Sequence, residues 1–91
     1  MILDPETRAY TEIANAIVLR AVDDYRNALK GIGIAEKTPE YVIGEYEHFF
    51  RSRWYRILTK VDGEYLISFL RKEHLEYERS RNESKSNTGN A

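Results

Sequence analysis

Apolar residues recur at three- and four-residue spacing over the first third of the chain, which is the period of an amphipathic α-helix. Asp4-Pro5-Glu6 opens this stretch and is typical of a helix start, because Asp caps free amides and Pro tolerates the first turn. Gly31 follows the stretch, and glycine readily adopts the left-handed conformation that ends helices. We therefore predict a first helix with these apolar positions: Tyr10, Ile13, Ala14, Ile17, Ala21, Tyr25, Ala28 and Leu29.

A second helix start follows at Thr38-Pro39-Glu40, where a hydroxyl cap precedes Pro and an acid. Helical spacing of apolar residues then continues to about Lys60, so one unbroken helix is an open alternative. We favour a break at Ser52, which can cap a short helix that begins at Arg53. The apolar positions are Val42, Ile43, Tyr46, Phe49, Phe50, Trp54, Ile57, Leu58 and Val61.

A last helix start is predicted at Asp62-Gly63-Glu64, and its apolar pattern continues to roughly Glu78. Residues 79–91 contain no large apolar side chain, so ordering them would cost chain entropy with little burial in return. We predict a helical domain over residues 1–78 and a flexible, disordered polar tail over residues 79–91.

The fold class predicted from these elements is all-α, a small irregular bundle of three to four helices. No alternating strand pattern of useful length interrupts them. With only about 78 residues available, the core should rely on aromatic side chains, each of which buries about 150–250 Å². Homodimerisation, which would add to the burial that this small core provides, remains an open alternative.

Composition narrows the classes of function. The 91 residues carry 14 basic and 15 acidic side chains, a net charge of −1, so no global field attracts nucleic acid or anionic lipid. Cysteine is absent, which excludes disulfides, thiolate catalysis and cysteine-ligated metals. The apolar runs are too short to span a bilayer and the start lacks a basic leader. We expect a cytoplasmic protein without a membrane partner.

The most unusual stretch is the basic-aromatic segment, residues 49–60, which has four basic residues, four aromatic residues and no acid. Arginine suits bidentate pairing with carboxylate or phosphate, and aromatic faces accept bases or guanidinium groups. We expect Phe50, Trp54, Ile57 and Leu58 to pack beneath this surface. The residues predicted to bind a partner are Arg51, Arg53, Tyr55, Arg56 and Lys60.

Alternatives remain for this segment. On an unbroken helix Arg53 would lie within the apolar arc, where an unpaired guanidinium is costly. A break at Ser52 removes that problem, whereas an ion pair with Asp23, Asp24 or Glu64 is a structural alternative to partner binding. The predicted partner is a protein or protein–nucleic-acid complex with an acidic surface. In the alternative, the same arginines bind the phosphates of a nucleic acid or nucleotide.

Catalysis is not expected from this sequence. Glu45 and His48 have Glu-x-x-His spacing, but a di-metal carboxylate site needs two such pairs and only one is present. Gly31 and Gly33 lack the third glycine and the preceding strand of a dinucleotide motif. We predict no enzyme activity, no cofactor and no metal.

Three segments resemble small uncharacterised proteins of phages and prophages in Gram-positive bacteria. The resemblance covers about residues 9–73 and implies a genetic setting and a bacterial host cytoplasm, without catalytic residues. Small phage accessory proteins often bind and redirect host machinery, so it implies a binding protein, such as an inhibitor of a defence system like CRISPR. The segments are residues 16–29, Phe49-Phe50-Arg51-Ser52-x-Trp54-Tyr55 and Leu58-Thr59-x-Val61-Asp62-Gly63-Glu64-Tyr65-Leu66-Ile67.

Overall fold

The computed structural model describes residues 5–89, and side chains are described for residues 5–82. Within this range the chain is all-α, as predicted. Among the described residues, the only bridge of strand type is an isolated pair between Ile34 and Lys37 in the first connector. The helices of residues 5–89 are α1 (Pro5–Leu29), α2 (Pro39–Phe50), α3 (Arg53–Leu58) and α4 (Gly63–Gly89).

Local capping signals set most of the helix ends. The Tyr41 amide donates to the Thr38 hydroxyl at 3.2 Å at the start of α2, and the Tyr65 amide donates to Asp62 at 2.9 Å at the start of α4. Gly31 follows α1 with a φ of 90°, the left-handed conformation expected there. These three predictions are confirmed, whereas the predicted cap at Asp4 lies outside the described residues.

The C-terminal helix is longer than predicted. Its apolar pattern ends near Glu78, yet α4 continues to Gly89. Arg79 to Asn82 are exposed, so this part of the helix is not held by burial of its side chains. The predicted helix end at Glu78 is therefore wrong, while flexibility of residues 79–91 stays a prediction.

The core forms where α1 packs against each of the other three helices. Aromatic rings dominate it, as the short chain requires: Tyr25 and Phe50 meet edge to face with ring centroids 5.5 Å apart. The buried hydrophobic residues are Ala14, Ala21, Val22, Tyr25, Ala28, Val42, Phe50, Tyr55, Ile67 and Leu70.

Gly63 allows the first turn of α4 to approach the last turn of α2. A Cβ placed on Gly63 would lie 2.0 Å from the Phe50 carbonyl oxygen, which is inside van der Waals contact. The obstacle is backbone, so it cannot move aside as a flexible side chain would. Glycine at this position therefore sets the spacing between α2 and α4.

We expect Gly63→Ala to lower the free energy of unfolding by about 1–3 kcal/mol, because the added methyl group forces the two helices apart. Urea denaturation followed by circular dichroism measures this change. Gly44→Ala is the matched control, since Gly44 lies within α2 and an added Cβ there meets open space. The control should stabilise the protein by about 0.5–1 kcal/mol. Equal effects of the two substitutions would contradict this interpretation.

Candidate macromolecular binding surface

The backbone at Ser52 separates α2 from α3 and changes the direction in which the following side chains point. Ser52 is extended, with φ −82° and ψ 161°, and its hydroxyl accepts a hydrogen bond from the Tyr55 amide at 3.2 Å. The same hydroxyl donates to the Phe49 carbonyl at 2.6 Å. The predicted break at Ser52 is confirmed. Helical spacing counted across Ser52 therefore does not predict which way the following side chains point, because an extended residue interrupts the rotation of the helix.

Tyr55 is turned into the core by this break. Its exposed fraction is 1%, and its ring lies edge to face against those of Phe49 and Phe50, each with a centroid distance of 5.7 Å. The prediction that Tyr55 contacts a partner is therefore wrong. It is a packing residue that holds α3 against α1 and α2.

Trp54 and Ile57 point outward for the same reason. The exposed fraction of Trp54 is 56% and that of Ile57 is 68%, so the prediction that both lie beneath the surface is wrong. Phe50 is buried as predicted, and Leu58 is half-buried. Tyr55, which was expected to contact a partner, is thus buried, whereas the two apolar side chains that were expected in the core are exposed.

Three cations flank these apolar side chains. Arg53, Arg56 and Lys60 are exposed, and none of them forms an ion pair with another residue in the described part of the chain. The alternative in which Arg53 pairs with an internal acid is therefore not realised. We call the exposed set the α3 surface: Arg53, Trp54, Arg56, Ile57 and Lys60.

Arg51 differs from these cations although it belongs to the same sequence segment. Its Nε donates to Glu64 on α4 at 2.5 Å, and its Nη1 lies 3.6 Å from Glu47. Internal carboxylates therefore satisfy much of its charge. Of the arginines predicted to bind a partner, Arg53 and Arg56 form no ion pair with any described residue, whereas Arg51 is engaged within the chain.

A groove beside the α3 surface separates α3 from the start of α4 and has a volume of about 600 Å³. Arg56 and Lys60 line it together with Asp62, whose carboxylate caps α4, and Glu64, which binds Arg51. Both acidic side chains of the groove therefore already have hydrogen-bond partners within the chain. Arg56 and Lys60 are thus the charged side chains of the groove that have no ion-pair partner among residues 5–82.

Glu47, on α2, accepts hydrogen bonds from residues of α1 and α4 and was not singled out from the sequence. Its carboxylate, 16% exposed, accepts a hydrogen bond from the Tyr25 hydroxyl at 2.7 Å and from the Arg71 guanidinium. Burial raises the pKa of Glu47, but the hydrogen bonds from Tyr25 and Arg71, together with the positive charges of Arg71 and Arg51, hold the pKa below its usual value. The pairing with Arg51 is visible in the sequence as an i,i+4 spacing, whereas those with Tyr25 and Arg71 depend on the tertiary fold.

The described residues contain no group of three or more His, Cys, Asp or Glu side chains that could hold a metal ion. Of the Glu-x-x-His pair, Glu45 binds the Lys37 ammonium at 3.2 Å and His48 is exposed. Glu45 is therefore engaged in an ion pair, whereas His48 faces solvent.

Stability should fall as the pH drops through the pKa of Glu47 in the folded protein. A carboxyl group whose pKa is lowered by folding stabilises the fold above its unfolded pKa, and protonation removes that contribution. We expect Glu47→Gln to lower the free energy of unfolding at neutral pH by about 1.5–3 kcal/mol, because it weakens charged hydrogen bonds. The difference from wild type should shrink at acidic pH. Urea denaturation across a pH series measures both effects.

Glu40→Gln provides the matched control, since Glu40 is exposed in the first turn of α2 and forms no ion pair within the described residues. Its effect should stay within about 0.5 kcal/mol. A loss for Glu47→Gln that is constant with pH would contradict the role given to ionised Glu47.

Among residues 5–89, no helix is both long enough and apolar enough to cross a bilayer. No family model, curated protein or solved structure matches the chain. A function for the α3 surface therefore depends on the chemistry of its own side chains.

Proposed function

We propose that this protein is a non-enzymatic binding protein that docks its α3 surface onto an acidic surface of another macromolecule, a protein or a protein–nucleic-acid complex. One observation supports the proposal above all. Arg53 and Arg56 on the short helix α3, and Lys60 just after it, form no ion pair within the described residues, and they flank two mostly exposed apolar side chains, Trp54 and Ile57.

The side chains of this surface are of the kinds that contribute most to binding. Tryptophan and arginine are enriched among residues whose truncation costs 2 kcal/mol or more, and Trp54 is already presented to solvent. Arginine can bind a carboxylate through two parallel hydrogen bonds. Trp54 would thus provide apolar contact, Arg53 and Arg56 would pair with carboxylates, and Lys60 would steer the encounter.

The chemistry favours a protein surface over free nucleic acid. Ile57 neither stacks on bases nor forms hydrogen bonds through its side chain, yet it is the most exposed apolar residue of this surface. The chain as a whole is slightly acidic, whereas nucleic-acid-binding domains are commonly basic.

The biological setting is part of the proposal. The resemblance to phage and prophage proteins supports a mobile-element accessory protein that acts in the bacterial cytoplasm. A small protein that presents cations around a tryptophan could occupy an acidic site on a host complex and block it. Inhibition of a defence system such as CRISPR is the most specific form of this proposal.

Affinity capture from a bacterial lysate, compared between wild type and an Arg53→Glu/Arg56→Glu variant, would identify proteins that need the α3 surface. Calorimetry with the purified captured protein then measures direct binding. We expect the double charge reversal to weaken binding at least tenfold, about 1.4 kcal/mol, and Trp54→Ala to cost about 2 kcal/mol or more. Each variant should keep the helical circular dichroism of the wild type.

The matched control is Arg8→Glu/Lys72→Glu, which makes the same change in net charge at exposed positions on α1 and α4. It should bind like the wild type. Equal binding by wild type, Trp54→Ala and the α3 double variant would contradict the proposal.

A salt titration against a random single-stranded oligonucleotide tests the alternative, since phosphate-dominated binding falls steeply with salt. Tight, strongly salt-dependent binding there would favour nucleic acid over a protein partner.

A further inference from the structure

The N-terminal half of α1 carries an apolar face that the other residues described in the structure leave largely uncovered. Tyr10 is 78% exposed and Ile13 is 62% exposed, and Ile17 continues the row one turn later. Residues spaced by three and four lie on the same side of a helix. Ala9 and Ala16 lie on this side too and are also exposed. We call this set the α1 face; it is distinct from the α3 surface.

A groove of about 490 Å³ adjoins the α1 face, between α1 and α2. Ala16 and Ile17 form its α1 side, while the half-buried rings of Tyr46 and Phe49 form its α2 side. The Tyr46 hydroxyl donates to Asp24 at 2.7 Å, so its polar atom is already satisfied. The groove therefore presents mainly carbon to solvent.

We propose that a second copy of this chain covers the α1 face, with the two α1 helices antiparallel and crossing at Ile13. In that arrangement residues at equal distances before and after Ile13 face one another. Tyr10 then lies against Ala16 of the second copy and beside its groove, and Ile17 lies against Ala9. Each large side chain meets a small one, which is the condition for close helix packing.

Charge complementarity supports the same register. Glu6, in the first turn of α1, faces Arg20 of the second copy, and the twofold axis repeats the pair. The Arg20 side chain is 83% exposed, and Asp24 lies 3.6 Å from its Nε within the chain. Parallel helices would place Glu6 against Glu6 and Tyr10 against Tyr10 instead. The α1 sequence is thus complementary to its own reverse, as an isologous interface requires.

The first test is the mass of the protein in solution. We expect sedimentation equilibrium of the wild type to show a reversible dimer. Ile13→Asp should give a monomer, because it places two carboxylates together on the twofold axis. Leu19→Asp is the matched control, since Leu19 is equally exposed but lies on another side of α1, and it should remain dimeric. A wild type that is monomeric at every concentration would overturn the proposal, as would a dimeric Ile13→Asp variant.

Charge reversal tests the register. Glu6→Arg and Arg20→Glu should each weaken the dimer at least tenfold, because each places like charges together. An equimolar mixture of the two variants should recover a dimer, since one copy then carries both cations and the other both acids. Circular dichroism confirms that each variant stays helical. Failure of the mixture to associate, with both variants folded, would refute the antiparallel arrangement even if Ile13→Asp is monomeric.

Discussion

The burial of Tyr55 between Phe49 and Phe50 holds α3 against the core, and this burial depends on the extended backbone at Ser52. Had α2 continued without interruption, Trp54 and Ile57 would have kept the inward phase that their spacing indicates. The Ser52 hydroxyl both closes one helix and opens the next. One residue thus decides which aromatic side chain packs inside and which faces solvent.

The internal carboxylates then divide the cations of the middle segment into two groups. Glu64 and Glu47 engage Arg51, and Glu47 also binds Arg71. Arg53 and Arg56 extend from a helix that has no acid in its first turn, so they remain available. Of the four basic side chains in the basic-aromatic segment, only Arg51 is thus engaged by carboxylates among the described residues.

The sequence predicted the features that depend on neighbouring residues. Thr38, Asp62 and Ser52 cap helices through contacts within three residues, so their roles follow from local pattern alone. The orientation of Trp54 could not be obtained by counting helical periods, because the break changes the rotation of the chain by an amount that spacing does not encode.

Long-range features were also beyond sequence reasoning. Tyr25 and Arg71 lie far from Glu47 along the chain and meet it only after α1 and α4 have packed. The α4 helix continues past its last apolar residues although no apolar pattern there requires it. Within the basic-aromatic segment Phe50 is buried as predicted, whereas the predicted inward position of Trp54 and the predicted outward position of Tyr55 were wrong.

The contact between Gly63 and the Phe50 carbonyl also affects how the protein can change. The backbones on either side of residues 51–62 nearly touch. The segment between them therefore has fixed, closely spaced ends, as an Ω-loop does. Its outward-facing side chains do not pack into the core. Substitutions at Trp54 or Arg56 can accumulate without disturbing helix spacing. The solvent-facing side chains of this segment can therefore change over evolution while the spacing between α2 and α4 stays constant.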